Sequence, residues 1–261
     1  MKQVLGRKQT SKNEDWIWAF KHIEELITRE EVETYAKASL DEMRQATAGK
    51  RVAYAYSAGK DSIVLAHLCE KVALTTGFFA YCDLDYPAFI AWVRENKPQG
   101  VQMMHTGIGL NWLARHQDLI FAEGQLGQRW HQISQRGPFT RMFFENRLDL
   151  LLVGHRRIDG NFCGPNGYIK KRSGETRYAP IRDWPHEALL GYIHYNNLPL
   201  PPIYGWKDGW VQGTHAWPER EFCSDDIMRG YQEVYDIDPE IVIKASKKLS
   251  SACHFLEEVG A

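Results

Sequence analysis

The feature that most constrains the fold is a glycine-containing loop between a strand-like run and a helix-like run. Residues 51–56 (RVAYAY) are β-prone, and residues 63–68 (IVLAHL) show helical patterning. The loop between them, residues 57–62, has the sequence SAGKDS. A glycine here lets the chain turn tightly, so that the first amides of the helix point outward with the positive end of the helix dipole behind them. This geometry is suited to binding phosphate.

Other short apolar runs repeat the same alternation along the chain. They are residues 78–82, 101–104 and 150–153, and a helix-like segment at residues 88–95 separates the first two. Strands that alternate with helices predict an α/β fold with a doubly wound, mostly parallel sheet. The polar, glycine-rich residues 161–174 predict a mobile loop.

Helical additions are predicted at both ends of this sheet-forming region. Residues 14–48 predict two helices, the second opened by a capping box at residues 28–31. After Trp217 the pattern predicts two C-terminal helices, the last beginning at Asp238 and Pro239. We therefore expect N-terminal helices in residues 1–49, a nucleotide-binding α/β domain in residues 50–222 and C-terminal helices in residues 223–261.

Composition excludes several classes of protein. Apolar residues make up 44% of the chain, charged residues 25%, and the formal net charge is -1, as in ordinary globular proteins. No apolar run is long enough to span a bilayer and the first residues form no apolar leader, which predicts a cytoplasmic protein without a membrane partner. The five cysteines include no CxxC pair, which argues against a disulfide framework and against a cysteine-built metal site.

The polar residues of the loop suggest a particular ligand. Ser57 and Ser62 offer hydroxyl groups, and Lys60 offers a positive charge. Asp61 would repel a bare phosphate, so its presence favours a phosphate that carries Mg²⁺. The spacing does not fit the Walker A pattern. An ordinary turn capped by Ser57 remains the alternative.

Several motifs together resemble one superfamily. SAGKDS resembles the SGGxDS pyrophosphate loop of the ATP-pyrophosphatase (PP-loop) superfamily. VGHRR at residues 153–157 resembles a G-x-R-R segment, and APIRDW at residues 179–184 resembles a P-I-x-D-W segment, both of the phosphoadenosine-phosphosulfate (PAPS) reductase and sulfate-adenylyltransferase small-subunit branch. Residues 204–220, which include Gly213, Thr214 and His215, resemble the region around the G-x-T-H segment of the same branch. The resemblance implies an adenine nucleotide alpha hydrolase-like fold with ATP and Mg²⁺ as cofactors.

The resemblance also assigns expected roles to individual residues. Lys60 and Asp61 are expected to be catalytic, with Asp61 also a metal ligand. The residues expected to bind nucleotide are Ser57, Ala58, Gly59, Lys60, Asp61, Ser62, Asp83, Gly154, Arg156 and Arg157. Those expected to bind substrate are Arg182, Asp183, His215 and Arg220. For Asp83 a plain turn acid, and for His215 a structural histidine, remain open. Because Lys60 and Asp61 begin a helix, we expect both to be exposed and their replacement to cost at most about 1 kcal/mol.

Positive charge is concentrated in one part of the chain. Residues 129–182 contain eleven Lys or Arg against four Asp or Glu. Arg156 and Arg157 follow an apolar run, where ligands bind in open α/β sheets. For Lys170, Lys171 and Arg172, a solvated surface and a site for a polyanion both remain open.

The C-terminal region departs from the reductases. Their Glu-Cys-Gly-Leu-His tail, which carries the nucleophilic cysteine, is matched poorly by residues 251–256 (SACHFL). On a helix Cys253 and His254 do not face each other, so Cys253 is expected to be a packed thiol. We expect no single cysteine to be essential.

Three functions remain open at this point. The first is an enzyme that adenylates an unidentified acceptor with ATP and releases pyrophosphate. The second is a sulfonucleotide reductase, and the third is a nucleotide-binding regulatory protein without turnover. A small oxyanion and a nucleic-acid base are both open as acceptors, and a protein partner or a second copy of the chain is not excluded.

Overall fold

The structure, a computed structural model, describes residues 5–6, 10–220 and 223–260 of the 261 residues. The strands are β1 Val52–Ala55, β2 Gly77–Tyr81, β3 Val101–His105, β4 Leu150–Leu152, β5 Tyr168–Lys170 and β6 Thr176–Tyr178. The α-helices are α1 Asn13–Lys21, α2 Ile23–Leu26, α3 Arg29–Thr47, α4 Lys60–Lys71, α5 Pro87–Asn96, α6 Leu110–Leu113, α7 Gly124–His131, α8 Gly137–Glu145, α9 His186–Tyr195, α10 Gly209–Gln212, α11 Ile227–Ile237, α12 Pro239–Ser246 and α13 Ser250–Val259. A π-helical turn, Gln132–Arg136, joins α7 to α8.

The strands form one sheet in the order β3-β2-β1-β4-β6-β5. β1 pairs in parallel with β2 and with β4, placing Tyr54 opposite Gly77 and Ala53 opposite Leu151. β4 also pairs in parallel with β6. The predicted doubly wound, mostly parallel α/β class with helical additions is therefore confirmed.

One segment predicted as a mobile loop contains a strand. β5 lies within residues 161–174 and pairs antiparallel with β6, with Ile169 opposite Arg177. Ile169 is buried while its neighbours Tyr168 and Lys170 are exposed. This alternation of one buried residue between exposed ones is typical of a half-covered strand. The sequence predicted a loop here because the strand is short and is surrounded by glycines.

The described chain separates into two compact units. The first is formed by the described residues of Met1–Phe79, Asn96–Met103 and Phe139–Pro201. The second is formed by those of Ala80–Glu95, Met104–Pro138 and Pro202–Ala261. Both units are discontinuous in sequence. The three-part division into residues 1–49, 50–222 and 223–261 stays a prediction.

Helix α9 is the centre of packing in the first unit. It contacts α1, α2, α3 and α4, and Leu189 and Leu190 are fully buried. Gly191 allows this close approach, because a Cβ atom there would lie 2.8 Å from side-chain carbons of both Ile27 and Val32. Apolar burial of this extent is the main stabilising contribution to such a unit.

The N-terminal helical region is divided more finely than predicted. The capping box is present, since the Thr28 hydroxyl accepts from the Glu31 amide at 3.2 Å and the Thr28 amide donates to Glu31 Oε2 at 2.9 Å. The predicted first helix is split into α1 and α2 at His22, and Ile27 has an extended backbone (φ -153°) that ends α2. Two predicted helices are thus three.

The second unit contains a corresponding correction at the C-terminus. Helices α11, α12 and α13 pack against one another, so the two predicted C-terminal helices are also three. Asp238 caps α12 as predicted, accepting from the Glu240 amide at 3.1 Å, but α12 is not the last helix. The chain becomes extended at Leu249 (φ -118°, ψ 115°) and α13 begins at Ser250.

Among the described helices, none combines the length and the apolar character needed to cross a membrane.

Candidate functional site

The strand order places a topological switch next to β1. The chain leaves β1 for β2 and β3 on one side and returns with β4 on the other side. In open α/β sheets, ligands bind outside the carboxyl ends of the strands at such a switch. The loop of residues 57–62 follows β1, and residues 154–157 follow β4. Two of the predicted motifs therefore meet at this end of the sheet.

Hydrogen bonds within the loop fix its shape. Ser62 Oγ accepts from the Ser57 amide at 3.1 Å and donates to the Gly59 carbonyl at 2.9 Å. The Gly59 amide donates to Ser57 Oγ at 3.3 Å. Gly59, rather than Ser57, is the N-cap residue of α4. The two hydroxyls thus shape the loop around the first amides of the helix.

Ala58 has a backbone conformation that normally favours glycine. Its φ is 56°, in the left-handed region, which costs a residue with a Cβ about 1–2 kcal/mol. The side chain is nevertheless fully buried. A residue held in this region next to a helix N-terminus turns successive amides to one side, as anion-binding loops do.

Lys60 and Asp61 are not exposed as the sequence predicted. The side chain of Lys60 is 6% exposed and that of Asp61 is 25% exposed. Lys60 Nζ donates to Asp61 Oδ2 at 2.7 Å, and Arg156 Nε donates to Asp61 Oδ1 at 2.6 Å. Lys60 also lies over the ring of Trp16, 5.3 Å from its centroid. The expectation of exposed side chains is therefore wrong, and we now expect each replacement to cost more than predicted because it breaks a buried ion pair.

The charges around Asp61 keep its carboxylate ionised. Burial by itself would raise its pKa, but the charges of Lys60 and Arg156 outweigh burial and hold the pKa of Asp61 well below its usual range. Both carboxylate oxygens are engaged by cations. The loop therefore carries a permanent, compensated charge cluster at the helix terminus.

Arg156 is the buried anchor of this cluster. Its side chain is fully buried, and Nη1 donates to the Trp184 carbonyl at 3.2 Å. Nη2 contacts Asp159 Oδ2 at 2.9 Å and His186 Nδ1 at 3.1 Å. With its contact to Asp61, the guanidinium thus ties the loop after β1 to the segment after β4 and to the start of α9.

The neighbours of His186 define its protonation. Nδ1 accepts from Arg156, and Nε2 lies 2.9 Å from the Gly6 carbonyl, which requires a proton on Nε2. Burial, with the charges of Arg156 and Lys60, lowers the pKa of His186 to about 3. His186 is therefore neutral in the folded protein over the physiological range.

Gly154 lets the segment after β4 approach the loop. A Cβ atom at this position would lie 3.1 Å from the backbone carbon and oxygen of Asp61. Such a contact is tighter than side chains normally tolerate against backbone. A larger residue would therefore push the two loops apart.

Arg157 lies in a separate and more exposed group. Its side chain is 40% exposed, it pairs with Asp183, and Nη2 donates to the Gly164 carbonyl at 2.6 Å. Arg182 binds Glu42 through both terminal nitrogens, at 2.7 and 3.0 Å. Arg157, Arg182 and Asp183 lie together through these contacts, and Arg182 is already engaged by a carboxylate. Their roles toward a nucleotide or substrate stay predictions.

The remaining predicted residues belong to the second unit. Asp83 is exposed and contacts His105 Nε2 at 2.8 Å. Arg220 is buried and donates to Glu233 Oε2 at 3.0 Å, a contact typical of a structural ion pair. His215 lies 3.4 Å from Glu219 through Nδ1. Contact of these three residues with a ligand also stays a prediction.

The cysteines differ sharply in environment. Cys69, Cys82, Cys163 and Cys223 are buried, and burial raises the pKa of each thiol, that of Cys223 to about 11. Cys253 is exposed, contrary to the expectation of a packed thiol, and its Sγ lies 3.7 Å from Glu257 Oε1.

Sequence reasoning missed the residues that support Arg156. Asp159 and His186 contact its guanidinium, yet no motif drew attention to either. For Asp159 the i,i+3 spacing from Arg156 was a weak available signal. For His186, 30 residues further along the chain, the sequence contains no such signal.

Comparisons with known proteins identify a family whose members share this sequence pattern. The family described as phosphoadenosine phosphosulfate reductase domain matches residues 51–209. A phosphoadenosine 5'-phosphosulfate reductase of Xanthomonas campestris is 21% identical over 170 residues, covering 62% of this chain and 68% of that protein. One of Vibrio cholerae is 22% identical over 131 residues, covering 49% of this chain and 51% of that protein.

One solved structure adds evidence on the fold, and a second gives a weaker superposition. The phosphoadenylyl-sulfate reductase of Candida auris, solved as a phosphate complex, superposes with a TM-score of 0.54 at 15% identity, over 73% of this chain and 96% of that one. The U34-tRNA thiolase NcsA of Methanococcus maripaludis, with its [4Fe-4S] cluster, gives a TM-score of 0.45 at 16% identity, over 78% and 80%. Because the family match spans more than half of the sequence, this chain belongs to the phosphoadenosine phosphosulfate reductase domain family.

Proposed function

We propose that this protein binds ATP at the loop of residues 57–62 and cleaves it between the α- and β-phosphates, transferring AMP to an acceptor. The observation that carries this proposal is the buried group of Lys60, Asp61 and Arg156 at the amide end of α4. Buried ion pairs contribute little to net stability compared with apolar side chains of similar size. A group of three charges at a topological switch is better explained by a charged ligand.

Each residue has a distinct role in this proposal. The amides at the start of α4 bind the β- and γ-phosphates, and Lys60 turns from Asp61 toward them to stabilise charge on the departing pyrophosphate. An acceptor oxygen attacks the α-phosphorus while the bond from that phosphorus to the bridging oxygen breaks, and pyrophosphate leaves with the electron pair. Arg156 is a positioning residue, since it holds Asp61 without facing an open site.

The residues present fit a magnesium ion that enters with the nucleotide. Mg²⁺ is commonly held by one or two carboxylates together with substrate phosphates, and Asp61 supplies one ionised carboxylate. When bound, Mg²⁺ would neutralise phosphate charge. Lys60 occupies Asp61 Oδ2, so its movement toward the phosphates would free that oxygen for the ion.

We propose only a chemical class for the acceptor. A small oxyanion and a nucleic-acid base both offer an atom that can attack phosphorus. A protein partner or a second copy of the chain would complete the acceptor side in either case.

A second candidate is favoured by the family itself. The curated relatives in Xanthomonas campestris and Vibrio cholerae are named as phosphoadenosine 5'-phosphosulfate reductases, so reduction of a sulfonucleotide is an equally direct interpretation. That reaction requires a nucleophilic thiol. Cys253, the exposed cysteine, has a carboxylate rather than a cation at 3.7 Å.

Pyrophosphate and AMP release would separate the two functions. Wild type is incubated with ATP and Mg²⁺ and candidate acceptors, beside Lys60→Gln and the matched control Lys71→Gln, an exposed lysine at the other end of the same helix. We expect release by wild type and Lys71→Gln but not by Lys60→Gln. Equal activity of the two variants would contradict the proposal.

A parallel assay tests the alternative. Sulfite release from phosphoadenosine phosphosulfate with thioredoxin is measured for wild type and Cys253→Ser. Sulfite release that is lost in Cys253→Ser, together with no pyrophosphate from ATP, would establish the reductase function instead.

A further inference from the structure

A second group of ionisable residues lies in the second unit and is not used by the proposed reaction. His131, His215 and Glu219 each offer one possible ligand atom, and these atoms all lie within 4.8 Å of one another. The two imidazole rings have centroids 5.4 Å apart. We call these three residues the His-His-Glu cluster.

Two distances in the cluster, each from an imidazole nitrogen to a different oxygen of Glu219, are close to those between neighbouring ligands of a small cation. Nδ1 of His131 lies 3.4 Å from Glu219 Oε1, and Nδ1 of His215 lies 3.4 Å from Oε2. These separations exceed the usual 2.7–3.2 Å of an N–H···O hydrogen bond. Zinc bonds of about 2.0–2.1 Å place neighbouring tetrahedral ligand atoms roughly 3.3–3.4 Å apart.

The carboxylate of the cluster is poorly solvated. The side chain of Glu219 is 4% exposed. Nδ1 of His215 is inaccessible to solvent and, within the part of the chain that the structure describes, has no hydrogen-bond partner. A buried carboxylate beside an unpartnered ring nitrogen is costly unless a charge compensates it. A cation between them would satisfy both groups.

The local backbone holds the cluster in place. His131 is the last residue of α7, and the π-helical turn that follows supplies Ser134, whose hydroxyl donates to Glu219 Oε1 at 3.1 Å. Such π-helical turns occur frequently at functional sites. A hydroxyl that orients a ligating carboxylate is a common outer partner of metal sites.

We propose that the His-His-Glu cluster binds a divalent transition metal ion, with zinc as the probe. Two imidazoles and one carboxylate are a donor set that suits zinc and leaves a fourth position open for water or a ligand. Magnesium prefers oxygen ligands and is not expected to bind here. The inference does not rest on the proposed ATP chemistry, since it uses other residues and another metal.

Metal content of the intact chain provides the test. The purified protein is stripped with a chelator, dialysed against zinc, and analysed for bound metal and for affinity by competition with a chromophoric chelator. His215→Gln and Glu219→Gln are compared with His194→Gln, which disrupts a histidine–carboxylate pair (2.8 Å to Glu24). His131→Gln, at a more exposed position of the cluster, provides a second variant if either of the first two fails to fold.

We expect one tightly bound zinc in wild type and His194→Gln, and an affinity lowered by about tenfold or more in each cluster variant that folds. Excess magnesium should leave zinc binding unchanged. The proposal is overturned if wild type retains no zinc, if folded cluster variants bind as tightly as His194→Gln, or if magnesium displaces the zinc.

Discussion

Replacing Asp61 by asparagine tests whether the charge group at the start of α4 is as tightly coupled as its geometry indicates. The change keeps the side-chain shape but removes the negative charge that lies 2.7 Å from Lys60 Nζ and 2.6 Å from Arg156 Nε. Both cations remain buried, with side chains 6% and 0% exposed. Arg156 keeps Asp159 as a partner at 2.9 Å.

The expected loss of stability follows from this burial. Removing one partner of a buried ion pair costs about 3–5 kcal/mol, because an uncompensated charge is left behind. Asp61 is itself 25% exposed, so we expect a value near the lower end, about 3 kcal/mol. The matched control is Asp41→Asn, whose partner Arg44 is 2.8 Å away but whose side chain is 54% exposed. Such a surface pair contributes about 0–1 kcal/mol.

Urea unfolding followed by tryptophan fluorescence measures both free energies of unfolding. Because the folded-state pKa of Asp61 is lowered, its contribution is present above the unfolded value of 3.8 and is lost only as the pH falls through the lower folded value. The difference between wild type and Asp61→Asn should therefore stay constant from pH 8 to about pH 5. A loss no larger than that of Asp41→Asn would refute the argument and show that Lys60 simply turns to solvent.

Three further predictions concern the same region. Because the folded pKa of His186 is lowered to about 3, the free energy of unfolding should fall by roughly 1.4 kcal/mol per pH unit as the pH drops below 6.5. In urea unfolding measured at several pH values, His186→Asn should flatten this slope. An unchanged slope would show that another group causes the pH dependence. Arg156→Met should cost about 3–5 kcal/mol and the more exposed Arg157→Met about 1 kcal/mol or less; equal denaturation midpoints would contradict this. Ala58→Gly removes the strain of a positive φ and should raise the free energy of unfolding, measured by calorimetry, by about 0.5–1 kcal/mol. A clear loss of stability would show that burial of the methyl group contributes more than the strain costs.

Sequence reasoning succeeded where the determining interactions are local. The strand, loop and helix around residues 57–62 are set by β-prone residues, a glycine and helical periodicity within a short window. The capping box of Thr28 and Glu31 spans three positions, and Asp238 caps α12 from two positions away. Such signals can be interpreted without knowledge of the rest of the fold.

Errors arose where distant segments decide the outcome. Lys60 was expected at the surface because it begins a helix, but Trp16 and Asp61 cover and neutralise it. Arg156 was expected to bind nucleotide, which stays a prediction, but the sequence did not indicate that Asp61, 95 positions earlier in the chain, and His186 hold its side chain in the interior. The His-His-Glu cluster joins a helix end and a loop more than eighty residues apart, as the 85-position separation of Ser134 and Glu219 illustrates. Only the folded chain brings these groups together.

The hairpin of β5 and β6 has a consequence for association between copies of the protein. β5 is the outermost strand on its side of the sheet, and such a strand can template further strands from other chains. It is only three residues long, and Lys170 at its end is followed by Lys171 and Arg172. Shortness and like charge both oppose edge-to-edge growth. This basic run therefore opposes aggregation at an edge whose unpaired backbone groups could otherwise pair with another chain, whether or not the run binds a polyanion.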